Sequence, residues 1–174
     1  MSGWTIARID ARAAREALAD LVEILVDCVE GGASVSFLAP LSGEKATAFW
    51  EGVAAGVERG ERALVVARGP DGAIDGTVHL VLAQPENQPH RADVTKLLVR
   101  RRARRSGVGE LLMREIERVA LAEGKTVLVL DTASDDARRL YERLGWTLVG
   151  PIPNYALNPD GTLCDTWIYW KALT

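Results

Sequence analysis

The segment with the clearest chemistry runs from residue 97 to residue 109 and is rich in arginine and glycine. Five of the six residues 100–105 are arginines, and Gly107 and Gly109 follow them. Guanidinium groups bind phosphate oxygens, and the unpaired N–H groups at a helix N-terminus attract anions. Glycines let such an anion approach the backbone closely. The segment therefore predicts a phosphate-binding loop at a helix entrance, with a solvated loop or a nucleic-acid patch as alternatives.

Other common site motifs are missing from the sequence. There is no G-x-x-x-x-G-K-S/T, and Leu112 stands where a dinucleotide fingerprint needs its third glycine. His79 and His90 form no metal-binding pair, and no serine lies in G-x-S-x-G. We therefore predict no metal site, no ATPase or NAD site, and no serine hydrolase.

Composition limits the class of protein. The chain has 174 residues, 48% hydrophobic and 26% charged, with a net charge of -3. This favours one compact domain over residues 1–174 and argues against general nucleic-acid binding. Residues 1–4 show no basic stretch followed by an apolar one. No apolar run approaches the roughly 20 residues that span a bilayer. Cys28 and Cys164 lie far apart and form no metal-binding or disulfide motif. We expect a cytoplasmic protein with reduced thiols and no membrane partner.

The first half of the chain shows alternating apolar patterns of helix and strand. A strand at Thr5–Ile9 precedes a helix that Asp10 caps and that ends near Gly31 and Gly32. A second helix runs from Ser42 to Gly60. A hairpin follows, with strands at Ala63–Ala67 and Thr77–Leu82 around the turn residues 69–72.

The second half carries the arginine-glycine segment. The pattern predicts a strand at Arg91–Val99, a helix over 107–123, and a strand at Thr126–Leu130 buried on both faces, which together make a βαβ unit. A short helix over 135–144 and two strands complete the chain. These strands span Thr147–Leu157 and Leu163–Lys171, on either side of the turn residues 158–161.

Two segments resemble one enzyme family. Arg104-x-x-Gly107-x-Gly109, after a strand ending at Val99, resembles the acetyl-CoA signature R/Q-x-x-G-x-G/A of the GNAT N-acetyltransferases, and residues 137–146 resemble the later motif A-x-x-x-Y-x-x-x-G-F/W. Residues 29–38 and 158–161 are similar to the tabtoxin resistance acetyltransferase type. The resemblance implies a mixed α/β (α+β) fold: a mostly antiparallel central sheet with flanking helices and one βαβ acetyl-CoA-binding unit.

The resemblance also implies where acetyl-CoA binds. The pantetheine arm pairs like an extra strand with main-chain groups of the preceding strand, and an N–H near its end polarises the thioester carbonyl. The helix entrance holds the diphosphate through backbone N–H groups. The residues assigned to these roles are Leu97, Leu98, Val99, Arg104, Arg105, Ser106, Gly107, Val108, Gly109 and Glu110.

Three residues are candidates for proton transfer. Tyr141 matches the family tyrosine near the CoA sulfur and would protonate the departing thiolate; its alternative role is core packing. Asp93 and Asp131 would bind the substrate ammonium or take its proton. Strand alternation places Asp93 on one face with Thr95 and Leu97. The alternatives are an exposed strand charge for Asp93 and a cap of the next helix for Asp131.

The acceptor side is the least specified. Glu30, Ser34 and Ser36 lie on the segment that the resemblance places beside the acceptor. The expected activity is acetyl transfer to a primary amine of a small molecule, such as an amino-acid-like toxin or antibiotic, by direct attack and without a metal. Acetylation of a protein N-terminus or lysine, a non-catalytic acyl-CoA sensor and an RNA-binding module are the alternatives. The resemblance also implies a homodimer.

Overall fold

One seven-stranded sheet organises the chain in the computed structural model, which describes residues 3–174. The first two residues of the N-terminal stretch considered above lie outside that range. In chain order the elements are β1 (Thr5–Ile9), α1 (Ala11–Glu16), α2 (Leu18–Glu30), α3 (Gly43–Glu58), β2 (Arg62–Arg68), β3 (Ile74–Val81), β4 (Arg91–Val99), a 3-10 turn (Arg101–Ala103), α4 (Val108–Ala122), β5 (Val127–Thr132), α5 (Asp135–Arg143), β6 (Thr147–Leu157) and β7 (Leu163–Ala172). None of the helices within this range has the length and apolar character needed to cross a membrane.

The sheet order is β1-β2-β3-β4-β5-β7-β6. All neighbouring strands are antiparallel except β4 and β5, which are parallel and are joined through α4. The expected mixed sheet with one βαβ unit is therefore confirmed. The predicted hairpins of β2 with β3 and of β6 with β7 are also present, although β3 begins at Ile74, earlier than predicted.

Helices cover both faces of the sheet, so apolar side chains form two core layers. This burial of apolar surface is the main stabilising contribution to the fold. The layer between α2, α3 and the sheet includes Leu21, Ile24, Leu25, Trp50, Leu64 and Val66. The layer between α4, α5 and the opposite face includes Val65, Val78, Leu80, Leu112, Ile116 and Tyr141.

The single helix predicted after Asp10 is in fact two helices separated at Ala17, which has ψ 14°. The two pieces attach to different elements. In α1, Arg15 pairs with Glu58 of α3 at 2.7 Å, whereas in α2 the Asp20 carboxylate accepts the Ile74 N–H of β3 at 3.1 Å. These separate attachments account for the break between α1 and α2. The apolar periodicity of the sequence does not indicate this break.

Strand β5 is not buried on both faces as predicted. Leu128 and Leu130 are buried beneath α4 and α5, but Val127 and Val129 are only half-buried. The two valines belong to neither core layer, and Val129 instead lines an open pocket. The apolar sequence of β5 thus predicted burial on both faces, but the face that carries Val129 lies at the pocket.

A β-bulge interrupts β4 near its end. Lys96 and Leu97 stand opposite the single residue Val78 of β3. Lys96 has the left-handed φ of 54°, and the Thr77 hydroxyl donates a hydrogen bond to its carbonyl at 3.1 Å. A bulge leaves one residue out of the ladder and bends the strand.

The bulge also changes which side chains share a face. Leu97 packs in the same apolar layer as Ala92 and Val94, and so on the face opposite Asp93. The prediction that Leu97 shares a face with Asp93 and Thr95 is therefore wrong, because the alternation shifts by one residue at the bulge.

Candidate active site

The parallel strands β4 and β5 separate after a short pairing. Their register covers only Arg91–Asp93 with Val127–Val129, although both strands continue. A pocket of about 320 Å³ opens where they part. It is lined by Phe49, Arg62, Val81, Asp93, Val94, Thr95, Lys96, Val129, Leu130, Asp131 and Ile168. Both carboxylates singled out in the sequence therefore lie in one pocket.

The entrance of α4 presents a row of unpaired N–H groups. Within residues 3–174, the backbone N–H groups of the five residues Arg105–Gly109 have no hydrogen-bond acceptor. The neighbouring N–H groups of Arg104 and Glu110 donate to the carbonyls of Arg101 and Gly107. The left-handed φ values of Arg105 (62°) and Gly107 (83°) turn successive N–H groups toward one side, a backbone arrangement that binds anions. The unpaired main-chain donors thus run from Arg105 to Gly109, within the segment from Arg104 to Gly109 or Glu110 that the sequence singled out. We call these five N–H groups the cradle.

Carboxylates hold three of the five loop arginines away from this cradle. Arg100 pairs with Glu23 at 2.5 Å, and Arg101 pairs with Asp27 at 2.9 Å. Arg102 donates twice to Asp75, at 2.8 and 3.1 Å. The run of positive charge is therefore largely neutralised by α2 and β3.

The two remaining loop arginines differ from these three. Arg104 and Arg105 form no ion pair within 4 Å in the described part of the chain. The Arg104 Nε donates to the Val99 carbonyl at 3.3 Å, and the charge of its guanidinium acts on the pKa of both Asp27 and Cys28. The positive charge beside the cradle is thus supplied by two arginines rather than five, and this weakens the nucleic-acid reading.

The two pocket carboxylates have different partners. Asp93 forms a salt bridge with Arg91 and accepts from Gln84 Nε2 at 3.0 Å. Asp131 accepts from the buried hydroxyl of Thr166 at 2.7 Å. The cap of α5 is Ser134, which accepts the Ala137 N–H at 3.2 Å, so Asp131 does not cap that helix.

Tyr141 packs behind the point of separation and is 4% exposed. Its ring lies 5.9 Å from the rings of both Trp146 and Tyr169. Burial, and then the charge of Asp131, raises the pKa of the Tyr141 phenol, which therefore stays protonated at neutral pH. Tyr141 does not line the pocket itself and belongs to the apolar layer between the sheet and helices α4 and α5.

The predicted acceptor residues are spread over three places. Ser36 accepts a hydrogen bond from the pocket residue Lys96, Nζ to Oγ, at 3.0 Å. Ser34 donates to the Leu157 carbonyl at 2.9 Å, and Glu30 lies 3.8 Å from Arg101. Of the three, Ser36 is thus the one in direct contact with a pocket residue.

Several residues near the pocket were not found by sequence reasoning. Arg62 and Lys96 are both pocket cations. In the sequence Lys96 reads as an ordinary strand residue, and Arg62 lies just before the predicted strand Ala63–Ala67. Below them His79 is fully buried, 5.5 Å from the Trp50 ring, and neither imidazole nitrogen has a partner among residues 3–174. Burial, with the charges of Lys96 and Arg62, lowers the pKa of His79 to about 3.

Comparisons with known proteins agree with this fold. A model of the acetyltransferase (GNAT) family matches residues 18–146. A GNAT superfamily phosphinothricin acetyltransferase from Sinorhizobium meliloti, in complex with acetyl-CoA, has a TM-score of 0.79 and 20% identity, covering 98% of this chain and 89% of that one. The yncA structure from Salmonella typhimurium with its cofactor acetyl-CoA has a TM-score of 0.78 and 19% identity, with coverages of 99% and 95%. A ribosomal-protein-alanine N-acetyltransferase from Brucella melitensis has a TM-score of 0.76 and 20% identity, with coverages of 97% and 99%.

The burial of His79 predicts an acid-sensitive contribution to stability. Its pKa is about 3 when folded and about 6.5 when unfolded, so between these values the unfolded chain binds a proton that the folded state excludes. The contribution is present above pH 6.5 and is lost as the pH falls toward 3, by up to about 1.4 kcal/mol per pH unit. His79→Gln should flatten the free energy of unfolding between pH 6 and pH 4, measured by urea titration.

The matched control is His90→Gln, because His90 is exposed. This variant should keep the wild-type slope. Parallel curves for wild type and His79→Gln would contradict the assignment of a neutral buried imidazole.

Proposed function

Because this chain belongs to the acetyltransferase (GNAT) family, we propose that it transfers an acetyl group from acetyl-CoA to a primary amine of a small molecule. The amine attacks the thioester directly while both substrates are bound, without a metal. The observation that carries the proposal is the N–H cradle at residues 105–109, beside a gap between β4 and β5 that carries two carboxylates. The acetyl-CoA complexes of two similar structures support the choice of acyl donor.

The cradle and the bulge bind different parts of acetyl-CoA. The N–H groups of Arg105–Gly109, with the Arg104 guanidinium, bind the diphosphate. The pantetheine arm pairs with the main chain of Leu97–Val99, which the strand separation leaves without a neighbour on the β5 side. An N–H that the bulge removes from the ladder polarises the thioester carbonyl and stabilises the developing oxyanion.

Asp131 is the better of the two candidates for receiving the amine proton. Asp93 already faces the cation Arg91 and the amide of Gln84, so its negative charge is largely compensated. Asp131 has the neutral partner Thr166 and lies close enough to influence the pKa of both Tyr141 and Lys96. We assign proton transfer from the amine to Asp131, directly or through water, and positioning of the ammonium to Asp93.

The pocket favours a small acceptor over a protein chain. Its volume of about 320 Å³ suits a compact amine. The similarity to a ribosomal-protein-alanine N-acetyltransferase, at 20% identity, concerns the fold alone. An acyl-CoA sensor without turnover would have no need for carboxylates at the point where the thioester lies.

The biological setting is proposed from the resemblance to the tabtoxin resistance type. It points to a cytoplasmic enzyme that inactivates an amino-acid-like toxin or antibiotic by acetylating its amine. A homodimer is proposed on the same basis. The exposed apolar side chains of the edge strand β6, including Leu148, Val149 and Ile152, support an interface there.

A thiol-release assay tests the proposed reaction. Acetyl-CoA is supplied with amino acids, aminoglycosides, β-lactam-containing dipeptides and peptides, and free CoA is measured. Release with a small amine supports the proposal, and release with peptides alone favours the protein acetyltransferase. Binding of acetyl-CoA with no release over the whole panel would favour the sensor.

Arg104→Ala should weaken acetyl-CoA binding on the order of tenfold, because a charge-assisted hydrogen bond to phosphate contributes about 1.5–3 kcal/mol. The measurement is calorimetric titration. Arg118→Ala, which removes an equal charge from the exposed face of α4, is the control and should bind like wild type. Equal affinity of all three proteins would remove Arg104 from the site.

Tyr141→Phe should lower kcat about 100-fold or more, since it removes the acid that protonates the leaving thiolate. The control is Tyr155→Phe, at a tyrosine that is 56% exposed on β6, which should leave kcat unchanged. A wild-type kcat for Tyr141→Phe across the pH range would leave Tyr141 with a packing role only.

Asp131→Asn should lower kcat/KM about 100-fold, because it removes the group that receives the amine proton. Asp93→Asn should act mainly on KM, because Asp93 is assigned the positioning of the ammonium and not the proton transfer. Steady-state kinetics with the best amine of the panel separates these effects. Unchanged kcat/KM in both variants would exclude the two carboxylates from the reaction.

A further inference from the structure

Lys96 brings a primary amine of the protein itself into the pocket. Its Nζ donates to Ser36 Oγ at 3.0 Å and lies 5.8 Å from the centroid of the Phe49 ring. Within residues 3–174, no carboxylate lies within 4 Å of this nitrogen. No ion pair therefore fixes Lys96 in its charged form.

The other lysines of the chain have different surroundings. Lys125 Nζ donates to the carbonyls of Leu82 and Pro89, and Lys171 pairs with Glu117 at 2.8 Å. Lys45 is exposed on α3. Lys96 is thus the lysine whose amine faces the candidate site, and Lys45 offers an amine in open solvent for comparison.

The surroundings of Lys96 increase its reactivity. Burial lowers its pKa, the charge of Asp131 partly offsets this, and Arg62 adds to it. A lowered pKa raises the fraction of lysine with a free electron pair near neutral pH. Asp131, the group that would receive a proton from an acceptor amine, also lies in this pocket.

The bulge places this side chain next to the proposed position of the acetyl group. On the proposed function, an N–H of Leu97 or Leu98 binds the thioester carbonyl. Lys96 directly precedes these residues, and its flexible four-carbon stem lies in the acceptor pocket. A nucleophile held in one pocket with its electrophile reacts far faster than one arriving from solution.

We propose that Lys96 is a self-acetylation site, which accepts the acetyl group of bound acetyl-CoA when no amine substrate fills the pocket. This inference rests on the proposed function. The lysine nitrogen forms a bond to the acetyl carbon, and the carbon–sulfur bond breaks. The nitrogen loses one proton, and the departing sulfur gains one, which gives an amide and free CoA. The amide is uncharged and occupies the pocket, so the modified enzyme loses acceptor turnover but still binds acetyl-CoA.

The test is incubation of the full chain with carbon-13-labelled acetyl-CoA without an acceptor, followed by peptide mass spectrometry. Label should enter Lys96 on the order of tenfold or more faster than Lys45, which reports the uncatalysed reaction. Lys45→Arg should leave the rate at Lys96 unchanged. At subsaturating acetyl-CoA, Arg104→Ala should slow labelling of Lys96 and not of Lys45, and an amine substrate should suppress it.

Four results would overturn the inference. Equal rates at Lys96 and Lys45, or no effect on Lys96 of an Arg104→Ala variant that binds acetyl-CoA more weakly, would mean that the labelling is uncatalysed chemistry. An unlabelled Lys96 in an enzyme that releases thiol with an amine would refute self-acetylation and leave the proposed function standing. Absence of both acetyl-CoA binding and thiol release would overturn the proposed function as well. Thermal unfolding of Arg104→Ala confirms that the variant is folded.

Discussion

Three residue pairs join β4 to β5 before the bulge at Lys96 turns β4 away, and the pocket and the unpaired main chain of Leu97–Val99 follow from that separation. A continuous parallel pairing would cover the main chain of Leu97–Val99 and close the pocket that Asp93 and Asp131 share. The bulge is stabilised from β3 by the Thr77 hydroxyl, and it requires a left-handed backbone at a lysine. Such strain in a non-glycine residue persists where the surrounding structure imposes it, and it concentrates at functional sites.

The arginines of the loop after β4 have two roles, to attach the loop to the fold and to bind an anion. Carboxylates of α2 and β3 pair with Arg100, Arg101 and Arg102, and these contacts attach the loop to both elements. The attachment leaves the main-chain donors of residues 105–109 oriented at the start of α4 before any ligand arrives. Preorganised donors of this kind bind an anion without the cost of ordering a flexible loop. Three of the five arginines therefore stabilise the loop, and Arg104 and Arg105 remain to bind the anion.

The order of helices and strands and the βαβ unit were predictable from sequence, because apolar periodicity and glycine or proline turns report local structure. The α4 cradle was predictable for the same reason, since Gly107 and Gly109 mark a helix entrance. The bulge was not predicted, although the alternation that begins at residue 91 breaks at the consecutive polar residues Thr95 and Lys96 and is followed by the apolar run Leu97–Val99. The pairing of three arginines and the burial of His79 depend on contacts between elements far apart in the chain, and these leave no local pattern. The break at Ala17 escaped prediction because alanine is an excellent helix former.

Residue-resolved amide NMR of the nitrogen-15-labelled protein during titration with acetyl-CoA tests the central claim most directly. The account predicts that the amides of residues 105–109 move downfield as their N–H groups meet the diphosphate, and that those of Leu97–Val99 shift with them as the pantetheine arm pairs. Saturable binding that leaves both groups of amides unmoved, or no binding at all, would contradict it.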